Sequence, residues 1–431
     1  MQLKEGDPAS ATVRRMLSGR EEVRVLAAMG PQQPDGLIRL ILDTALEMKI
    51  PVVLLFADLE GRLAFLDEAM RPDIEAGRIK LLALAGAVPR RWGALVDYFP
   101  DSLWSIDRLI ARGEIAVDLV LARVWPRGSG EGYDYGAMIG YTHTALATGA
   151  AAAFEVTPPT IAGLRASVFI AEGRAELVCH PQPSAHPGAA KSRGPSGEEH
   201  EAARLVASLI PPRATLQIGI GGIGNAIAEQ LAKMPGIGLH SGIIPSLLRA
   251  AICAGVIDGA AKSVEPGLAV TTGILGPDSA DADWQGKVEL QPISQTHAPD
   301  RLRAHDCLWA VNSAMEVDLA GQVNAEFAGG QRIASGGGQV DFVRGARLAG
   351  GASVIAITAR TRDGRARIVA ALPAGNPPTT QAQDVDYVVT EFGIAKLRGR
   401  SMAERRAALL AIAHPEDRAA LSGAERCLCP S

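Results

Sequence analysis

Four glycines, Gly219, Gly221, Gly222 and Gly224, crowd one short stretch of this 431-residue chain. A turn without Cβ atoms lets a ligand lie against the main chain, and the free N–H groups of a following helix favour an anion. The expected guest therefore carries phosphate. The spacing of Gly219, Gly221 and Gly224 fits the GxGxxG dinucleotide pattern, which is weak in so glycine-rich a chain. A nicotinamide-binding unit also places an Asp or Glu at the end of the second strand, about 20 residues on. Here that position reads His240-Ser241-Gly242, which argues against NAD(P). A tight turn with no ligand is the competing reading. A second cluster, Ser335-Gly336-Gly337-Gly338-Gln339, lies in the same half of the chain, and two such loops point to one elongated ligand more than to two sites.

The elements that must carry these turns are α/β. Apolar runs at 23–27, 52–56, 79–84, 116–124 and 151–156 alternate with helical patterns, the arrangement of parallel strands joined by crossover helices. Residues 37–48 place Leu37, Ile38, Leu40, Ile41, Ala45 and Leu46 on one helical face. Loops at 30–35 and 126–136 follow two of the strands, at the ends where such sheets bind ligands, or are plain surface turns. In the second half, strands are expected at 216–220, 236–240, 268–274, 288–293, 307–312, 353–358, 367–372 and 387–390. Helices are expected at 225–234, 247–256, 402–412 and 415–421, and an antiparallel hairpin at 317–326, turning at Gly321. Between the halves, 181–199 turns to Pro, Ser, Gly, His and Lys and reads as a linker. The expected organisation is a domain over 1–180, a linker over 181–199 and a second domain over 200–431.

Composition narrows the function. Hydrophobic residues make up 47% and aromatic residues 4%, which suits closely packed α/β layers. A net charge of −4 without a dense Lys/Arg tract gives no reason to expect nucleic acid. No run reaches membrane-spanning length and residues 1–20 lack a signal-peptide core, so a cytoplasmic soluble protein is expected. Cys179, Cys253, Cys307, Cys427 and Cys429 are odd in number and lack paired zinc spacing, and His180 and His186 have no partners at ligand spacing. No metal is expected. The oligomeric state is left open, a homo-oligomer included.

Several strings in the second half carry a resemblance: LQIGIGGI at 216–223, VNSAMEVDLAGQVN at 311–324, GGQVDFVRGA at 337–346, YVVTEFGIAK at 387–396 and AIAHP at 411–415. Together they resemble the acetyl-CoA hydrolase/transferase family, which includes the 4-hydroxybutyrate CoA-transferases among the family I CoA-transferases. The first half matches more loosely, chiefly through Gly132-Tyr133. The resemblance implies two open α/β domains of the CoA-transferase type with the active site in the cleft between them. It implies that Gly219, Ile220, Gly221 and Gly222 contact coenzyme A and that the loop holding Gly337, Gly338 and Gln339 lies beside the thioester. The partners it implies are an acyl-CoA and a carboxylate acceptor. Both assignments agree with the chemistry of the turns, since pyrophosphate seeks helix N-termini and a polarised carbonyl seeks backbone N–H donors. Asn312 and Gln339 have amides that suit the site or the nearby backbone equally.

One departure bears on the reaction. In family members that transfer CoA, the strand after the glycine helix ends in a His-Ser/Thr-Glu string whose Glu is the nucleophile, a case of covalent catalysis by a carboxylate. The matching string here ends in Gly242, which removes that group and is expected to open space for water or a larger acyl chain. Glu326 is a candidate general base or alternative nucleophile if its strand faces the cleft, and a surface carboxylate otherwise. Ser241 beside His240 has the residue types of a nucleophile and base, although adjacent strand residues point to opposite faces. Glu316 and Asp318 flank the hairpin turn and are expected to be solvated. The readings are acyl-CoA transfer or thioester hydrolysis, and alternatively a catalytically impaired CoA-ester binding or regulatory protein of the same fold.

Overall fold

The computed structural model describes residues 8–128, 130–180, 194–276 and 283–423. They divide into two compact units, one drawn from Met1–Ala190, Thr272–Gln295 and Ile333–Gly337, the other from Lys191–Thr271, Thr296–Arg332 and Gly338–Ser431. Most of the expected linker, residues 181–193, lies outside the described residues, as do His186, Cys427 and Cys429. At the linker's far end, Ser196 caps the helix Gly197–Leu209. Its hydroxyl accepts from the Glu199 N–H while the Glu199 carboxylate accepts from its own N–H.

The first unit is organised on a parallel sheet whose strands lie in the order Val96–Tyr98, Ile79–Gly86, Val52–Asp58, Val23–Ala27, Leu119–Pro126, Ala151–Val156, Leu177–Cys179. Val52–Asp58 is buried along its whole length, as a strand covered on both faces must be. The helix Asp35–Glu47 buries Leu37, Ile38, Ile41, Leu42 and Ala45. The loop after Val23–Ala27 is buried at Gln32, Gln33 and Pro34, whereas the loop after Leu119–Pro126 is exposed at Gly128, Gly130 and Glu131 and buried only at its end, at Tyr135 and Gly136. Gln32 is buried, donates to the Arg123 carbonyl at 3.0 Å, and stands where a Cβ on Gly136 would lie. Beneath them Arg123 pairs with the buried Glu155 at 3.0 Å, and Glu155 also accepts from the Leu37 N–H. Burial raises the Asp35 carboxyl above its usual range, offset in part by the Gln33 amide and then Arg123.

In the second unit the strands run in the order Gly393–Lys396, Tyr387–Thr390, Ala352–Ala356, Leu308–Asn312, Thr215–Ile218, Gly238–Pro245. All neighbours are parallel except the first pair. The helix Gln339–Leu348 packs Phe342, Val343 and Ala346 against Leu302, Leu308 and Ala310. The expected hairpin forms from Glu316–Asp318 and Val323–Asn324. Asp318, expected in solvent, is buried instead and its carboxylate accepts from the Ala320 and Gln322 N–H groups and the Gln322 amide, which is what closes the Gly321 turn. Among the described residues no helix is long and apolar enough to cross a membrane and no His, Cys, Asp and Glu cluster could hold a metal ion.

Candidate active site

The strand Thr215–Ile218 is buried throughout, and the Gly219 N–H extends its ladder to the Val311 carbonyl at 2.8 Å. The chain then surfaces: Ile220 is 40% exposed, unusual for its size. Gly221 adopts φ 112° and ψ −177°, a conformation open essentially to glycine alone, and from it springs the helix Gly222–Leu231. Gly224 sits so close to the strand end that a Cβ would lie 2.2 Å from the Gly219 carbonyl oxygen. The first helical hydrogen bond runs from Asn225 N–H to Gly221 O, so the amides of Gly222, Ile223 and Gly224 precede the ladder. No side chain caps this end. The helices Gly197–Leu209 and Met402–Ile412 differ, each closing its first turn with a Ser–Glu capping box. One group tempers the positive end, since the Glu199 Oε1 lies 2.7 Å from where a Cβ on Gly222 would be.

The second glycine cluster has the same design. Gly337 has φ 59° with open space on its Cβ side, and Gly338 leads into Gln339–Leu348 without a side-chain cap. Gln339 is buried and its amide donates to the Thr380 hydroxyl at 2.9 Å. Asn312 is likewise engaged, exchanging two 3.0 Å amide hydrogen bonds with Gln217 on the neighbouring strand. Both amides therefore make bonds that hold the protein together.

The expected strand end at His240 is not one, because the strand runs on through Gly238–Pro245 and places His240, Ser241 and Gly242 in its middle. Alternation then turns Ser241 away from His240 and Gly242. The Ser241 hydroxyl is fully buried and committed to main chain, donating to the Ile243 carbonyl at 2.7 Å and lying 3.2 Å from both the N–H and the carbonyl of Ile218. The Ser241 hydroxyl thus links its own strand to the strand Thr215–Ile218. His240 Nε2 lies 2.9 Å from the Thr296 carbonyl.

Gly242 also departs from expectation. The space that a side chain would have occupied is filled, since a Cβ there would stand 3.0 Å from His297 Nε2, 3.2 Å from His297 Cε1 and 3.4 Å from Phe342 Cε2. The His297 ring meets Phe342 edge to face at 4.7 Å, and its Nδ1 lies 2.7 Å from the Thr296 hydroxyl. Its buried Nε2 has no hydrogen-bond partner. Burial lowers the His297 pKa to about 3 and that of His305 to about 4, where the Lys262 and Arg301 charges add to the effect. His240, packed edge to face on His305 at 4.7 Å, is lowered well below its ordinary value by burial first and then by His305 and Lys262. Three neutral imidazoles therefore back this strand.

Glu326 is not the surface carboxylate that was the alternative expectation. It is buried, and Arg332 engages its Oε2 through Nε at 2.9 Å and through a second guanidinium nitrogen. The paired carboxylate closes the small hairpin of Phe327–Ala328 and Gln331–Arg332. Of the residues expected at the site, Gly219, Ile220, Gly221 and Gly222 form a turn that is exposed from Ile220 to Gly222 and Gly337 and Gly338 a half-buried one, while Gln339, Ser241 and Glu326 are held in internal bonds. His297 and Phe342 were not anticipated. His297 lies outside the quoted strings and Phe342 inside GGQVDFVRGA, and the nearness of both to Gly242 is tertiary.

The C-terminal domain profile of the acetyl-CoA hydrolase/transferase family matches residues 280–424. Over 219 residues the chain is 39% identical to the 4-hydroxybutyrate coenzyme A transferase of Clostridium kluyveri, covering 50% of this chain and 51% of that protein. Over 339 residues it is 30% identical to the succinyl-CoA:acetate/propanoyl-CoA:succinate CoA transferase of Fasciola hepatica, covering 76% of this chain and 69% of that protein. With some others, such as the 4-hydroxybutyrate enzyme, the match spans about half of the relative's length. The crystal structure of RipA from Yersinia pestis shares the fold, with a TM-score of 0.83 at 24% identity and 96% of both chains covered.

Proposed function

This chain belongs to the acetyl-CoA hydrolase/transferase family, and from that premise we propose that it acts on acyl-CoA thioesters without forming a covalent intermediate on a carboxylate at position 242. The observation that carries the reading is the pair of uncapped, glycine-led helix ends within the family's characteristic strings. Gly219, Ile220, Gly221 and Gly222 form the turn that meets the coenzyme's diphosphate, with the main-chain donors beyond Gly219 and the positive end of the helix facing it. The amides around Gly337 and Gly338 draw on the thioester carbonyl, where donors aimed at developing negative charge lower the barrier. A carboxylate acceptor attacks the carbonyl directly and the CoA thiolate leaves; the thiolate then attacks the acceptor-derived carbonyl of the mixed anhydride, the donor carboxylate departs, and CoA ends on the acceptor. With water as the attacking group, the thiolate leaves and the free acid is released.

A second reading has its own observation. Gly242 offers no nucleophile, Ser241 is tied to main chain and Glu326 is paired with Arg332, so a protein that binds CoA esters and does not turn them over is the alternative. Thiol release from a panel of acyl-CoA esters, followed with and without acetate or succinate, separates the readings. Release without an acceptor means hydrolysis, CoA appearing on the acceptor means transfer, and saturable binding with neither means a binding protein. Absence of CoA binding at millimolar concentration would sink the proposal. The dehydrogenase reading would require saturable NAD(P)H fluorescence changes.

A further inference from the structure

Gly242 is a glycine by space and not by conformation. Its φ lies outside the left-handed region, so the main chain there would accept any L residue. What it lacks is room, because His297 and Phe342 stand within 3.0–3.4 Å of where a Cβ would be, closer than packed atoms normally sit. Neither neighbour yields easily: Phe342 is anchored in the core with Leu302, Leu308 and Ala310, and His297 is fixed between that ring and the Thr296 hydroxyl. The unpartnered Nε2 of His297 is turned toward Gly242.

We propose that Gly242 and His297 are a matched pair, in which the imidazole takes up the volume that a side chain at 242 would need. The residue at 297 thereby decides whether position 242 can carry a reactive group. The chemical consequence rests on the preceding reading, that position 242 lies beside the bound thioester; the packing itself does not.

A double-mutant cycle in the full-length chain tests the packing. Gly242→Ala is expected to lower Tm by roughly 2–4 °C when His297 is present and to be neutral or stabilising in the His297→Ala background. Equal losses in both backgrounds would overturn the pair. Acetyl-CoA with intact-mass detection tests the consequence. In Gly242→Glu/His297→Ala the new carboxylate attacks the thioester carbon and the CoA thiolate leaves. The thiolate then attacks the glutamyl carbonyl of the resulting anhydride, acetate departs, and CoA stays on the enzyme. That adduct is expected at least about tenfold more slowly in Gly242→Glu alone, a factor equivalent to about 1.4 kcal/mol. Equal labelling of both variants would refute the gating role of His297. Thermal coupling with no adduct in either variant would keep the pair and overturn the placement of the thioester beside it.

Discussion

Glycine serves two opposite purposes in the second unit. At 219–224 its missing side chains leave main-chain donors exposed and allow the turn its tight approach to the strand end. At 242, a half-buried position, the missing side chain instead brings an imidazole and a phenyl ring close against the main chain. One glycine region leaves its main chain open, the other is packed on one side by the protein's own rings. A missing side chain is therefore not a cavity until its neighbours are known.

The largest expected effect breaks the comparison from its buried side. His240, His297 and His305 are held neutral, whereas in the unfolded chain they take up protons near the ordinary value of 6.5. The unfolded state then binds more protons as the pH falls below 6.5, and stability drops until the folded-state values, about 3 for His297 and about 4 for His305, are reached. Between pH 6.5 and 5 each imidazole costs about 2 kcal/mol at most, from about 1.4 kcal/mol per pH unit. Urea denaturation at pH 7 and pH 5 measures this, and His297→Asn should flatten the dependence. A flat profile in the unmodified chain would show that these rings find partners or solvent on protonation.

Next comes the exposed side. Gly224→Ala drives a methyl group against the Gly219 carbonyl oxygen, and overpacking of this kind costs about 1–3 kcal/mol. Pushing the helix off the strand end also moves the amides ahead of Asn225, so CoA affinity should fall by about tenfold or more by isothermal titration calorimetry. Unchanged affinity in a folded variant would mean that the turn does not hold the coenzyme. Ser401→Ala is the matching change on a capped helix. Loss of its capping box is expected to cost about 1 kcal/mol and to leave CoA binding untouched.

The same contrast explains what could be read from the sequence. Strands such as Val23–Ala27, Ala151–Val156 and Tyr387–Thr390 and the helix Met402–Ile412 were legible in full, since burial on both faces writes a continuous apolar run and amphipathic packing a helical one. Edge strands of three residues, Val96–Tyr98 and Leu177–Cys179, are too short to write either. The glycine turns were legible because their chemistry is local. The strand through Gly242 was cut short in the reading because Gly and Pro depress strand propensity, yet the ladder and the packing around His240 carry it to Pro245. The fates of Ser241, Asp318 and Glu326 were not legible either, since each is set by partners supplied by the fold.

The smallest effect sharpens the comparison at the exposed turn itself. Glu199 serves two helices: one oxygen closes the capping box with the Ser196 N–H, and the other lies against Gly222 at the start of the glycine-led helix. A carboxylate at a helix N-terminus is worth about 0.3–1 kcal/mol to the empty protein, and the same charge opposes an incoming diphosphate. Glu199→Gln keeps a side chain that completes a capping box and removes only the charge. Stability and affinity should therefore move in opposite directions, with Tm slightly lower and CoA bound about two- to fivefold more tightly, an effect that fades as salt screens the charge. Weaker CoA binding in this variant would show that the carboxylate contacts the ligand favourably, and that the turn recognises something other than an anion.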